Sequence, residues 1–115
     1  MSKEFGVRVR GCCGPVPPAL PQERVERLAD LFKAAGDPTR LQMLHMLAEA
    51  PDPICVCDFT AAFGVSQPTV SHHLGKLKAA GLVEARRHGV WTYYTLPPAL
   101  PVEVRALLDT LRTRS

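Results

Sequence analysis

The feature that most constrains this chain is the regular placement of helix-starting and helix-ending residues between residues 22 and 81. Gly36 and Gly81 each follow a segment whose apolar residues recur at helical spacing, which is where a glycine ends a helix. Asp37-Pro38 and Ser66 precede such segments, and both are typical helix starts. The pattern therefore predicts short amphipathic helices separated by tight turns.

The short third helix and the segments after it predict the architecture. Asp52-Pro53 are expected to cap and start this helix, which ends at Gly64, so that only a three-residue turn separates it from the fourth helix. Two short runs, Leu82–Arg87 and Val90–Leu96, predict a β-hairpin joined at His88-Gly89, because the second run is rich in aromatic and β-branched residues. A helix, a tight turn, a second helix and a basic hairpin form a winged helix-turn-helix, so the fold class is mainly α with a small β-hairpin.

The two ends of the chain differ from this central unit. Residues 1–21 combine prolines and glycines without apolar periodicity, which predicts a flexible arm that carries Cys12 and Cys13. We assign residues 22–96 to the winged helix-turn-helix and residues 97–115 to a C-terminal helix. The first and last helices are both amphipathic, and each needs a partner to cover its apolar face.

The fourth helix and the hairpin carry the residues expected to contact DNA. Net charge is only +3, but residues 66–95 hold four basic side chains against Glu84 alone, which suits a polyanion. The outer face of the fourth helix is polar, as in a recognition helix that contacts DNA. An ordinary surface helix has the same pattern. The basic hairpin that follows favours DNA binding. The expected contact residues are Ser66, Gln67, Thr69, Ser71, His72 and Lys76 on the helix and Arg86 and Arg87 on the hairpin.

Several blocks of the sequence resemble the ArsR/SmtB family of metal-responsive repressors. They are "DLFKAAGDPTRLQMLHML", "CVCDF", "SQPTVSHHLGKLKAAGLV" and "RRHGVWTYYTL". The resemblance implies a homodimer built on the first and last helices, a palindromic double-stranded DNA operator, and loss of DNA affinity when metal binds. One branch of the family binds zinc through Asp and His on the last helix, and the absence of histidine there excludes that site.

The four cysteines are expected to act as reduced thiols. The N-terminus lacks the apolar core of a signal peptide, and no apolar run approaches a membrane span, so we expect a cytoplasmic protein without a membrane partner. Thiols stay reduced in the cytoplasm, which favours metal or redox chemistry over structural disulfides. A helix N-terminus lowers the pKa of a thiol, so Cys55 and Cys57 are expected to be partly ionised.

A second branch of the family uses the "CVCD" block as its metal site, which implies Cys55 and Cys57 as ligands. Arsenic sensors of that branch often carry a third cysteine shortly afterwards, but Phe59 and Thr60 stand there in this chain. The remaining thiolates must come from Cys12 and Cys13 on the arm. Side chains at i and i+2 of an ideal helix diverge by about 200°, so Cys55 and Cys57 can bind one ion together only if the first turn is distorted or not helical. The alternative is a site of Cys12, Cys13 and only one of Cys55 and Cys57.

The leading hypothesis is a repressor released from DNA by As(III) or Sb(III), which favour three thiolates. A Cd(II) or Pb(II) sensor that uses Cys12, Cys13, Cys55 and Cys57 is the alternative, because these ions also bind sulfur. A thiol-redox-sensing repressor is a third hypothesis. An enzyme such as an arsenate reductase would need an anion-binding loop and alternating strands and helices, and the chain has neither.

Overall fold

The computed structural model describes Gly11 and residues 13–112. The predicted order of four helices, a hairpin and a last helix is confirmed, and a short additional strand precedes the third helix. None of the described helices has the length and apolarity needed to span a membrane. The elements are α1 (Gln22–Ala35), α2 (Pro38–Glu49), β1 (Ile54–Cys55), α3 (Val56–Phe63), α4 (Gln67–Ala79), β2 (Glu84–His88), β3 (Trp91–Thr95) and α5 (Val102–Arg112).

Side-chain caps start α2 and α4 where the sequence predicts them. The Asp37 carboxylate accepts a hydrogen bond from the backbone N–H of Arg40 at 3.0 Å. The Ser66 hydroxyl accepts one from the backbone N–H of Thr69 at 3.3 Å. Gly64 ends α3 in the left-handed conformation, with a φ of 65°, which a residue without Cβ adopts at little cost. Gly64 and Ser66 therefore set the end of α3 and the start of α4, on either side of the tight turn.

The predicted start of α3 at Asp52-Pro53 is wrong. The helix begins at Val56, and Cys55 is its N-cap with extended backbone angles, φ −80° and ψ 152°. The backbone N–H of Cys55 donates to the Asp58 carboxylate at 3.0 Å. With Cys55 as N-cap and Asp58 completing the capping box, the helix begins three residues after the predicted start at Pro53. Ile54 and Cys55 therefore remain extended and pair with another strand.

The three strands form an antiparallel sheet in the order β1-β3-β2. Cys55 of β1 lies opposite Tyr93 of β3, so the start of α3 is joined directly to the hairpin. His88 lies opposite Trp91, which makes Gly89-Val90 the turn instead of the predicted His88-Gly89. Gly89 has a φ of +65°, and a glycine at the first turn position suits the twist of a two-residue hairpin.

The core lies between the helices and fixes the orientation of α4. Val70, Leu74 and Leu77 form the inner face of α4 and are completely buried. Phe59 of α3 is also completely buried, so the two helices around the tight turn share one core. The other members of this core come from α1, α2, α5 and the segment before β2: Ala35, Met43, Leu44, Leu47, Leu82, Val83, Val104 and Leu108.

The burial of Leu74 predicts that Leu74→Ala lowers the free energy of unfolding by about 2–5 kcal/mol, through lost transfer energy and the cavity that remains. The matched control is Leu20→Ala, because Leu20 is 53% exposed, and its truncation should change stability by no more than about 0.5 kcal/mol. Urea unfolding followed by circular dichroism at one fixed protein concentration measures both. Equal effects of the two substitutions would contradict this assignment of the core.

Candidate DNA-binding surface and thiol groove

The residues predicted on α4 for DNA contact lie on its exposed side. Gln67, Thr69, Ser71, His72 and Lys76 are all exposed. Their exposure follows from the helical period, because the apolar residues of α4 occupy the opposite face and are buried in the core. The predicted contact residue Ser66 is exposed as well, but its hydroxyl already serves as the N-cap of α4.

His73 anchors α4 to the start of α2 and does not belong to the exposed face. Its Nδ1 lies 3.3 Å from a terminal nitrogen of Arg40 and 3.8 Å from the Asp37 carboxylate. The Nε of Arg40 also donates to the backbone carbonyl of Ala34 at 2.6 Å, so Arg40 connects α1, α2 and α4. This cluster gives His73 an interhelical role, whereas the adjacent His72 is exposed.

The predicted hairpin cations lie on β2 and not at the tip of the hairpin. Arg86 pairs with Tyr93 and Arg87 with Thr92, so two residue pairs separate Arg86 from the Gly89-Val90 turn and one pair separates Arg87 from it. Both side chains are exposed, but successive residues of a strand point to opposite faces. The two arginines therefore face different directions, and they can contact different phosphate groups.

Cys55 and Cys57 are brought together by the way α3 begins. Cys55 is 5% exposed and has extended backbone, whereas Cys57 lies in the first helical turn and is exposed. Two helical residues at i and i+2 would point apart, but Cys55 lies outside the helix. The two thiols are close enough to share a hydrogen bond. The first turn of α3 is helical from Val56 onward, and the thiols meet because Cys55, the N-cap, lies outside it.

The expected lowering of thiol pKa at this helix N-terminus is wrong for Cys57. The pKa of Cys57 is raised from its ordinary value of 9.0, first by the hydrogen bond with Cys55 and then by desolvation. The neighbouring Cys55 and the Asp58 carboxylate raise it further, because negative charge nearby disfavours a thiolate. These effects outweigh a backbone hydrogen bond at Cys57 that lowers the pKa, so Cys57 is held as a neutral thiol at neutral pH.

The two thiols line a groove of about 280 Å³ that also reaches the DNA-contacting elements. Thr60 of α3 and Gln67 of α4 form one part of its wall. The hairpin turn and the start of β3 form the rest, through Val90, Trp91 and Thr92. A ligand bound by the thiols would therefore touch both the first residue of α4 and the hairpin.

The arm cysteines are not part of a completed site in the described structure. Cys13 is exposed, and Cys12 lies outside the described residues. Among Gly11 and residues 13–112, no three or more His, Cys, Asp or Glu side chains form a group that could hold a metal ion. The structure therefore brings together two of the four predicted ligands, Cys55 and Cys57.

Sequence reasoning missed three features of these surfaces. The position of Trp91 on the thiol groove could not be foreseen, because it depends on the pairing of β1 with β3. The link from Asp37 and Arg40 to His73 joins residues more than thirty positions apart. The capping by Asp58 did have a local signal, since a carboxylate three residues after an N-cap is the pattern of a capping box.

Comparison with known proteins places this fold in a family. The model of the family described as bacterial regulatory protein, arsR family, matches residues 37–85. An HTH-type transcriptional regulator of Methanocaldococcus jannaschii is 45% identical over 77% of this chain and 99% of its own length. The chain belongs to the arsR family. This ArsR-family protein therefore shares its fold with DNA-binding transcription regulators, which are not enzymes.

Two further relatives of this ArsR-family protein have names that refer to metals. The arsenical resistance operon repressor of Escherichia coli is 39% identical over 69% of the chain and 67% of its own length. The cadmium resistance transcriptional regulatory protein CadC of Listeria innocua is 37% identical over 58% of the chain and 56% of its own length. The relatives thus include regulators named for two different metals.

Solved structures confirm the winged helix-turn-helix. HlyU from Vibrio cholerae superposes with a TM-score of 0.68 at 30% identity, covering 79% of this chain and 94% of that one. A homodimeric winged helix-turn-helix DNA-binding domain from Mycobacterium bovis gives a TM-score of 0.66 at 32% identity, covering 78% of this chain and 79% of that one. The ArsR-family protein therefore has the fold predicted from its sequence.

The cap at Asp37 predicts a specific acid sensitivity. The pKa of Asp37 is lowered from its ordinary value of 3.8, chiefly by the hydrogen bond from the Arg40 backbone. At pH values above 3.8, ionised Asp37 therefore stabilises the folded state. This stabilisation is lost as the pH falls through the lowered pKa. Asp37→Asn keeps an amide oxygen for the cap but removes the charge, so it should be less stable than wild type at neutral pH and nearly equal in acid.

Melting temperatures recorded from about pH 7 to about pH 3 measure this difference. Asp52→Asn is the matched control, because Asp52 is exposed between α2 and β1. A constant difference between Asp37→Asn and wild type over the whole range would contradict the linkage.

The contact between the two thiols predicts that Cys55→Ala lowers the pKa of Cys57, because the hydrogen bond that favours the neutral thiol is removed. Asp58→Asn should lower it less, since the Asp58 charge has a smaller effect than the Cys55 contact. The pH dependence of iodoacetamide labelling at Cys57, quantified by peptide mass spectrometry, measures the pKa. An unchanged pKa in Cys55→Ala would show that the thiols do not interact.

Proposed function

We propose that this protein is a transcriptional repressor that binds a palindromic operator as a homodimer and releases it when As(III) or Sb(III) is bound by cysteine thiols. The observation that carries the proposal is the Cys55–Cys57 pair at the start of α3, in a groove shared with Gln67 and the hairpin. The relatives named for arsenical resistance support the same reading. The protein acts in the cytoplasm, where its thiols stay reduced.

The proton balance of binding to thiols differs between As(III) and a divalent cation. Arsenous acid, As(OH)₃, is neutral, and each As–S bond forms as a thiol loses its proton and arsenic loses a hydroxide, which leave together as water. Three thiols therefore bind one As(III) with three waters released and no net change of charge. Cd(II) must instead displace a proton into solution from each thiol, so its apparent affinity depends on pH.

The arm supplies the remaining ligands. A three-thiolate site needs one donor beyond Cys55 and Cys57, and the only other cysteines of the chain are Cys12 and Cys13. Residues 13–21 have no regular secondary structure and Cys13 is exposed, so no packed element has to be dismantled before this segment moves. In this proposal, As(III) joins the arm, of the same or the partner subunit, to the start of α3.

The DNA-contacting surface consists of α4 and the hairpin. We assign base and phosphate contacts in the major groove to the exposed residues of α4 and backbone contacts to the two arginines of β2. The contact residues are Ser66, Gln67, Thr69, Ser71, His72, Lys76, Arg86 and Arg87.

The proposed dimer is built on α1 and α5. Phe32 of α1 is 62% exposed and Val102 of α5 is 74% exposed, although both are large apolar residues. Val104 and Leu108 of α5 are already buried within the chain, so α5 requires a second subunit only for the remainder of its apolar surface. The homodimeric Mycobacterium bovis domain supports a homodimer. In this scheme residues 1–21 are the arm, residues 22–96 bind DNA and residues 97–115 contribute to the dimer.

In this proposal, a ligand bound by Cys55 and Cys57 affects DNA recognition because the thiols lie close to α4 and the hairpin. Cys55 of β1 lies opposite Tyr93 of β3 in the sheet, and the groove wall includes Gln67, the first residue of α4. A ligand that pulls on Cys55 and Cys57 displaces the hairpin and α4 relative to each other. A coupling free energy of only about 1–3 kcal/mol between the two sites is enough for a regulatory response.

The proposal predicts that arsenite releases the operator from the wild-type protein and not from Cys55→Ser or Cys57→Ser. Fluorescence anisotropy with duplex DNA selected from a random pool, in phosphine reductant that does not compete as a dithiol, measures the affinity. Both variants should bind DNA as wild type does, because serine preserves the volume of each side chain. His45→Ala is the control that should keep the arsenite response, since His45 lies on α2 away from the thiol groove.

Two further arms of the same experiment separate the alternatives. The apparent affinity for Cd(II) should fall about tenfold per pH unit for each proton displaced as the pH is lowered, whereas the response to arsenite should change little. Release by diamide without any metal would instead identify a redox sensor. If arsenite leaves the DNA affinity of the reduced wild-type protein unchanged, the proposed inducer is wrong.

A further inference from the structure

A second groove lies on the side of α4 away from the thiol groove. It has a volume of about 420 Å³ and is formed by α1, the start of α2 and the C-terminal half of α4. Its wall contains Arg27 and Lys33 of α1, Arg40 of α2 and Lys76 of α4, with Asp30 as the only carboxylate. We call this surface the cationic groove. Three of its four cations lie outside the residues assigned above to DNA contact.

The positive charge of the cationic groove is not neutralised by ion pairs. Arg27, Lys33 and Lys76 are exposed, and none of them lies within 4.0 Å of a carboxylate among Gly11 and residues 13–112. Arg40 is half-buried and held by Ala34 and His73, so its charge has a fixed position on the groove wall. Four cations facing one carboxylate create a local field that attracts an anion.

The geometry of α4 places the two grooves on opposite sides of its DNA-facing surface. Gln67 lines the thiol groove and Lys76 lines the cationic groove. Nine residues separate them, which corresponds to about 180° around the helix and about 13.5 Å along it. Residues such as His72 lie between them on the exposed face.

We propose that the cationic groove binds backbone phosphates of the operator on the strand opposite the one that the hairpin contacts. With α4 in the major groove, the hairpin faces one bordering phosphate strand and the cationic groove faces the other. The contact is to phosphodiester groups and not to bases, because three of the four cations lie beside the DNA-facing residues of α4 and not among them. The proposal rests on DNA binding by α4 and does not depend on the identity of the inducer.

The test is the salt dependence of DNA binding by Arg27→Gln/Lys33→Gln. Each lost phosphate contact should reduce the slope of log affinity against log salt concentration by about 0.9. Affinity at about 0.1 M salt should fall roughly 5- to 10-fold per cation, by the same factor for the selected operator and for an unrelated duplex. Lys76→Gln, on α4 itself, should reduce the slope by a similar amount, as should Arg86→Gln for the hairpin.

The control is Arg24→Gln/Arg105→Gln, which removes the same charge from exposed positions outside the groove. Light scattering checks that every variant keeps the oligomeric state of wild type. An unchanged slope in Arg27→Gln/Lys33→Gln, or an equal decrease in the control, would overturn the proposal. A loss confined to the selected operator would overturn it too, because phosphate contacts do not distinguish sequences. Arsenite-driven release should persist in the groove variant, so this outcome is independent of the thiol site.

Discussion

The extended backbone of Cys55 is the constraint on which the functional part of this molecule depends. At this residue the chain leaves a two-residue strand and enters α3, and the backbone N–H is held by the Asp58 carboxylate. The same residue lies opposite Tyr93 in the sheet, so α3 cannot shift without the hairpin. Because Cys55 is not helical, its thiol meets that of Cys57. One backbone conformation thus creates the thiol pair and connects it to the hairpin.

The recognition helix has a different partner on each of its sides. Its apolar face is buried in the core, His73 fixes its flank to the start of α2, and its first residue borders the thiol groove. Only the remaining face is left for DNA. A helix held in this way moves as a rigid body, so a change at either flank alters its orientation and not its internal structure. This is why a site beside the helix can control recognition without occupying the DNA-facing surface.

Much of the fold was predictable from local signals, and the errors share one cause. The starts of α2 and α4 followed from Asp37 and Ser66, because capping is decided within four residues of sequence. Asp52-Pro53 predicts a helix start because it has the same sequence pattern as Asp37-Pro38. Pairing of Ile54 and Cys55 with β3, some forty residues away, keeps the backbone extended there instead. The position of the hairpin turn also depends on register between two strands, which a single run of sequence does not fix.

The sequence by itself determined the helices, the hairpin, the family and the identity of the four thiols, since periodicity, caps and residue chemistry are all local properties of the chain. Only the tertiary structure decided which of those thiols meet, that the pKa of Cys57 rises, and that the thiol groove and the cationic groove flank α4. Each of these depends on distances between residues remote in sequence. Hydrogen bonding, desolvation and charge act over a few ångströms in space, and the folded core alone sets those distances.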